Sequence, residues 1–283
     1  TDKGAFWATN NDGATWKEFS KGLPNGYIRS IVPSKYDDSR IYITLAGINY
    51  DDHSNHIYVT ENGGKVWRKL QANLPDETAY VIYEDPQFEN VIYAGLLRGV
   101  YISSDRGASW SLLGENMPIV AIADLEIEEN TRDLVVATHG RGIYKTNLKP
   151  LHEALELGLP LKKNYLFATP SVKRPWVNDT HKDIDYNSIN KVPITFWTTK
   201  SQDAIIKIYN QGGELVWEHT LDAKQGMNQF RWNLITKSQS SPLPYFIHYD
   251  KFMEKGTYKI VLEINGENLI GTLNVEEGIK PRN

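Results

Sequence analysis

The stretch Ser103-Ser-Asp105-Arg-Gly107-Ala-Ser109-Trp110 decides the fold, because it occurs three times. The other copies are Thr9-Asn-Asn11-Asp-Gly13-Ala-Thr15-Trp16 and Thr60-Glu-Asn62-Gly-Gly64-Lys-Val66-Trp67. The shared pattern is Ser/Thr-x-Asp/Asn-x-Gly-x-Ser/Thr/Val-Trp. The Trp positions lie 51 and then 43 residues apart, and a Pro (Pro24, Pro75, Pro118) stands eight residues after each Trp. Length variation between copies therefore falls outside the Trp-to-Pro segment. Recurrence at forty to fifty residues is the mark of a stacked-repeat architecture.

Each copy reads as a stapled hairpin. Short β-rich runs such as His56–Thr60 and Gly99–Ser103 precede it, and another strand starts after the Trp. Between them the Asp or Asn side chain accepts backbone N–H bonds, and Gly supplies positive φ. The Trp ring fits between neighbouring sheets. Thr9, Asn11, Gly13 and Trp16, then Thr60, Asn62, Gly64 and Trp67, then Ser103, Asp105, Gly107 and Trp110 are thus structural residues. One carboxylate or amide per turn is too few ligands for a hard cation, so no metal and no cofactor is expected.

Reading outward gives a unit of four strands, A to D. In the third copy these are about 79–84, 91–95, 99–103 and 110–113. The second copy runs from Tyr27 to Leu70, the first has C and D only, and a fourth has A to C over 121–146 without the staple. Such units are propeller blades. The expected fold is all-β: a partial β-propeller of about three to four blades over residues 1–147, then a C-terminal β-sandwich.

The three motif copies resemble the Asp-box, or bacterial neuraminidase repeat. That places the segment with sialidases, sortilin-type propellers and two-propeller xyloglucan hydrolases. It is most similar to the bacterial sortilin-like or "glycosyl hydrolase" repeat proteins, whose last blade ends like Leu134-Val-Val-Ala-Thr-His139-Gly-Arg141-Gly142-Ile-Tyr and continues to a Pro-Leu like Pro150-Leu151. The resemblance covers residues 4–151. It implies the fold and a secreted, periplasmic or cell-surface setting. It implies little about activity, because sites are grafted on folds.

After Pro150 the pattern changes. Residues 148–190 read as a linker or arm with a short helix at Leu151–Leu159, and 278–283 as a tail. Over 191–277 six strands return, with turn signals at Asn210-Gln-Gly-Gly213 and Asn265-Gly266. Gly212-Gly213-Glu-Leu, Gly226-x-Asn228-x-x-x-Trp232 and Gly256-Thr-Tyr258 resemble a fibronectin-type or hook-cap-type Ig-like domain of secreted Bacteroidetes proteins.

Composition narrows the function classes. The net charge is −4 with no basic block, which argues against a nucleic-acid partner. No apolar run is long enough to span a bilayer. Cys is absent, so disulfides and thiolate chemistry are excluded. Residue 1 falls inside a repeat, so further blades are expected from an N-terminal region of the same gene product or from a partner chain.

Strand direction alternates, so A–B and C–D turns share one face and B–C and D–A turns the other. Arg98 and Arg141 occupy matching B–C turns, His139 adjoins Arg141, and the longest B–C insertion, 47–55, carries Tyr50, Asp51, Asp52 and His53. These seven residues are the candidate ligand-binding set, since exposed loops on a rigid scaffold are where sites are built. The leading reading is a non-catalytic scaffold binding a protein or a glycan. A glycoside hydrolase would need two positioned carboxylates, and Asp51, Asp52, Glu84 and Asp124 are the candidates, none in a recognisable motif. A sortilin-type peptide receptor is the third reading. Trp176 and Trp197 are candidate exposed rings for sugar stacking, against the commoner role of core or interface.

Overall fold

The structure is a computed structural model and describes residues 1, 3–47, 51–70, 72–159, 161–175, 191–240 and 248–278. The chain divides into two compact units, Thr1–Leu161 and Lys162–Asn283.

The first unit is built of antiparallel sheets in sequence order, each a hairpin-linked blade. A two-stranded sheet pairs β1 (Trp7–Ala8) with β2 (Lys17–Glu18). A four-stranded sheet follows: β3 (Tyr27–Pro33), β4 (Ile41–Ala46), β5 (Ile57–Thr60) and β6 (Arg68–Lys69). The next is β7 (Ala79–Glu84), β8 (Ile92–Leu96), β9 (Val100–Ser103) and β10 (Ser111–Leu112). The last has three strands, β11 (Ile122–Glu128), β12 (Asp133–Thr138) and β13 (Ile143–Asn147). This is the partial propeller that the repeat predicts.

The B strands show why blades stack. Every residue of β8 is buried, and all but the first of β4. A strand covered on both faces reads as a continuous apolar run rather than an alternating one. Gly95 sits at the tightest point. A Cβ there would lie 2.5 Å from Val81 Cγ1 of its own blade and 2.6 Å from Ile122 Cγ2 of the next. Only glycine allows β11 to approach β8 so closely. One buried cluster joins Tyr42, Ile57, Val59 and Leu70 of the second blade to Ala79, Ile82, Ile92 and Trp110 of the third.

Polar contacts also link the blades. Arg40, only 4% exposed, pairs with Glu61 at 2.9 Å, Glu89 at 3.1 Å and Glu84 at 3.7 Å. Glu84 itself accepts from Ser34 Oγ and the Lys35 N–H. After β13, helix α1 (Lys149–Glu156) starts with a proline in its first turn, where a missing N–H costs nothing. Its buried side is Leu151, His152 and Ala154. His152 Nε2 lies 2.9 Å from Asp85 Oδ2, which also accepts the Tyr93 hydroxyl at 2.9 Å. All three residues are fully buried, so this trio fastens α1 to the third blade.

The second unit contains two main sheets. One has the order β14 (Tyr165–Leu166), β16 (Val192–Thr198), β19 (Gly226–Trp232). The other is β15 (Val172–Lys173), β23 (Glu267–Glu276), β22 (Gly256–Ile264), β17 (Gln202–Tyr209), β18 (Leu215–Ala223). A hairpin of β20 (Ile235–Ser240) and β21 (His248–Phe252) is additional. Val192, Ile194 and Phe196 from one sheet meet Ile206, Ile208, Ile260 and Leu262 from the other in one buried core, as two packed sheets require. Asn265 and Gly266, at φ 51° and 76°, form the two-residue turn between β22 and β23.

The structure overturns one sequence expectation. Trp197 is not an exposed ring: it is 1% exposed, on a strand flanked by β14 at Tyr165 and by β19 at Met227. A strand covered on both edges and buried along most of its length leaves no ring face for a sugar. Trp176 and Tyr50 lie outside the described residues.

Candidate functional site

The two faces of the propeller segment can be told apart by their hydrogen bonds. The C–D turns bond to the A–B turns: Gly63 N–H donates to Ser39 O and Arg106 N–H to Asn90 O. The D–A segments meet the B–C turns: Asn55 Nδ2 donates to Pro75 O and Arg98 N–H to Glu77 Oε1. The assignment of turns to faces by strand alternation therefore holds.

On the first face the three staples share one network. The motif Ser/Thr hydroxyl donates to the Asp/Asn carboxylate or amide oxygen at 2.9, 2.9 and 2.8 Å. The same hydroxyl accepts the glycine N–H at 3.0, 2.9 and 2.8 Å. The Asp/Asn oxygen accepts the N–H of the residue before Trp at 2.9, 2.9 and 2.7 Å. Two successive residues take positive φ, as in Arg106 at 52° and Gly107 at 81°. The glycine then seats the turn on the previous blade. A Cβ at Gly64 would meet Phe19 and one at Gly107 would meet Leu70, each three residues after a motif Trp. In every copy the Ser/Thr hydroxyl and the Asp/Asn side-chain oxygen are engaged within the turn itself, so neither is directed at a ligand.

The opposite face differs. Glu77, 8% exposed, holds Arg98 twice, through the backbone N–H at 3.2 Å and through Nε at 3.4 Å. Burial raises the Glu77 carboxyl above its ordinary range, and the Arg98 N–H and guanidinium only partly oppose this. The Arg98 side chain is 69% exposed, so with Nε anchored its terminal N–H groups face solvent as a fork suited to a carboxylate. Burial and then the charge of Glu77 also raise the neighbouring Tyr101 phenol.

The 47–55 insertion contributes a second cluster. Asp52 Oδ2 lies 2.6 Å from His56 Nε2, and Asp52 Oδ1 accepts the Ser54 N–H at 2.9 Å. These bonds, Ser54 first and His56 next, lower the Asp52 carboxyl to about 2. The loop closes on itself where the Asp52 N–H donates to Gly47 O at 3.1 Å. Asp51 and His53 point out, 3.9 Å apart, with side chains 102% and 69% exposed. In the last blade His139 and Arg141 are exposed on a turn with Gly140 and Gly142 at positive φ. Thr138 Oγ1 pins that turn by donating to Gly142 O.

Thus the predicted residues Arg98, Asp51, Asp52, His53, His139 and Arg141 share a face, on three successive blades, and among the described residues no hydrogen bond or ion pair joins those of one blade to those of another. Sequence reading missed Glu77 and His56. His56 follows the insertion directly and was a legible partner for an acid four residues earlier. Glu77 had no local signal, because its partner is 21 residues away. The hydrolase carboxylates are divided. Glu84 is buried on the motif face against Ser34 and Lys35, whereas Asp52 lies on the other. Asp124 is exposed on β11 and accepts the N–H of Leu125. Among the described residues no cluster of His and carboxylates is arranged to hold a metal.

Residues 4–151 match the sortilin–Vps10 family, described as "Sortilin, neurotensin receptor 3". The match covers more than half of the chain, and the chain belongs to this family. No curated protein matches it. Among solved structures, a Niastella koreensis GH74 enzyme is 14% identical, with a TM-score of 0.41 over 95% of this chain and 42% of that one. The GH74 xyloglucanase from Xanthomonas campestris is 9% identical, with a TM-score of 0.39 over 95% and 43%. A structure of YCF48 bound to D1 peptide is 11% identical, with a TM-score of 0.34 over 95% and 75%. The chain spans about two fifths of the length of the GH74 structures. No helix among the described residues is long and apolar enough to cross a membrane.

Proposed function

We propose that this member of the sortilin–Vps10 family is the non-catalytic binding portion of a secreted or cell-surface protein. Its ligand is an acidic protein or glycan, taken on the face of the B–C turns. The observation that carries this reading is Arg98, anchored by buried Glu77 with its terminal donors in solvent. A cation whose geometry is fixed before binding loses little entropy on meeting a carboxylate. Exposed Arg141 and His139 on the next blade add charge and donors to the same face. The separation of Glu84 from Asp52 favours binding over glycoside hydrolysis, which requires two carboxylates across one bond. The second unit, read as an Ig-like module, acts as a spacer or second contact surface.

In this reading the ring is completed by further blades, from an N-terminal region of the same gene product or from a partner chain. Support comes from the motif Trp, which is 58% exposed at Trp16 and 4% exposed at Trp110, where a preceding blade covers it. Trp7, 46% exposed, lies on the same first sheet. Apolar surface of this kind marks an interface.

The test is retention of the 283-residue chain on arrays of acidic and neutral oligosaccharides and of acidic and neutral peptides. Binding confined to acidic probes and weakened in Arg98→Ala/Arg141→Ala is expected. Cleavage of any array glycan, abolished by Asp52→Asn, would replace this reading with the hydrolase.

A further inference from the structure

The second unit carries a feature that the propeller reading does not use. β18 and β19 are the edge strands of the two sheets, and between them the sandwich is closed by a stack of aromatic rings. Trp232, 2% exposed, is fixed at the inner end by donating Nε1–H to Ile235 O at 3.2 Å. Trp217 stacks on it with centroids 4.6 Å apart. Phe230 lies 5.6 Å from Trp217, and His219 continues the stack 4.5 Å from Phe230. The row runs from core to solvent, since Trp217 and Phe230 are half-buried and His219 exposed.

Beside this row is a surface hollow of about 390 Å³, lined by Trp217, Phe230, Lys191, Arg231 and Asn233 among others. That volume lies in the lower part of the range of small-molecule pockets, ~300–1,000 Å³. Its charge is one-sided. Lys191 and Arg231 are both exposed, no described carboxylate pairs with either, and no carboxylate lines the hollow. Among the described residues the side-chain bond of Arg231 is from Nε to Gln229 Oε1 at 2.8 Å; it holds the guanidinium on the Gln229 side of β19, at the rim of the hollow, and leaves its terminal N–H groups available. Asn233 adds an amide; its Oδ1 accepts the Ile235 N–H, so its two N–H donors are left for another partner.

We propose that this hollow binds an acidic saccharide. The rings give a rigid face for the C–H side of a pyranose, Lys191 and Arg231 meet its carboxylate or sulfate, and Asn233 donates to a hydroxyl. All the residues that line the hollow belong to the second unit.

The experiment uses the full chain in native gels cast with polygalacturonate, heparin, polyglutamate, methyl-esterified polygalacturonate or dextran. Retardation by polygalacturonate or heparin and not by the ester or dextran is expected. Lys191→Ala/Arg231→Ala should weaken it about tenfold, since it removes two charged contacts at an unchanged thermal midpoint. Trp217→Phe, which keeps the row filled while reducing the stacking face, should weaken it less. Four results would overturn the proposal. They are no retardation by either acidic polymer, equal retardation by dextran, equal loss of polyglutamate retardation in Lys191→Ala/Arg231→Ala, or loss in Arg98→Ala/Arg141→Ala with Lys191→Ala/Arg231→Ala unaffected. The third would mean charge recognition without a saccharide, and the fourth would move binding to the propeller face.

Discussion

The two faces of the propeller segment are made of the same kinds of residue and use them in opposite ways. On the motif face Asp105 has Ser103, the Ser109 N–H and the Ser109 hydroxyl, all within four residues. Arg40 is enclosed by Glu61, Glu84 and Glu89. On the B–C face Arg98 has one acidic partner and Arg141 none among the described residues. A polar group already satisfied within the fold holds structure together. A polar group held in place but left unsatisfied is the one that can meet a ligand.

The sharpest way to break this contrast is Arg40→Met on the motif face. It leaves Glu84, whose side chain is 2% exposed, without its cation. Removing one partner of a buried pair costs about 3–5 kcal/mol, and partly exposed Glu61 and Glu89 place the expected loss at the low end. Urea unfolding measures it; a loss under about 1 kcal/mol would mean that water already screens the cluster.

Asp105→Ala should follow, at about 1–2 kcal/mol, through the lost turn bonds. Array binding should be unchanged. If binding falls while stability holds, the motif face is the ligand face.

Acid titration separates two carboxylates on the B–C face. Asp52 is lowered to about 2 in the folded protein, so its contribution is complete above its ordinary value of 3.8 and is lost as pH falls from there toward 2. Glu77 is raised above its ordinary 4.5, so its ionisation opposes folding and stability is lost as pH rises through the folded value. Glu77→Gln should therefore leave stability at pH 7 equal or slightly higher, yet weaken binding of acidic probes by freeing Arg98. A large destabilisation at pH 7 would show that the carboxylate holds the turn rather than the guanidinium.

The smallest expected effect is that of Arg141→Ala on stability, within about 0.5 kcal/mol, as for an exposed side chain with no partner. Any larger loss would give Arg141 a structural use and remove it from the ligand face.

The difference in legibility between the faces has the same origin. The motif network was readable because its bonds span two to four residues, so the amino-acid types alone specify it. The grouping of Arg98, Arg141 and the 47–55 loop was readable too, since strand alternation alone assigns turns to faces. The Trp197 expectation failed because exposure depends on flanking strands, and β14 comes from a segment read as a linker. Glu77 with Arg98, Asp85 with His152, and Trp217 with Phe230 join residues separated by one or more turns of chain.

The sequence by itself determined the repeat, its four-strand unit, the stapled turns and the change of pattern after Pro150, because hydrogen bonding and φ preference act over a few residues. Only the tertiary structure decided which cation is enclosed and which stands free, which Trp is core and which forms a wall of a hollow. Those outcomes depend on burial, and burial is set by what other strands bring to within a few ångströms.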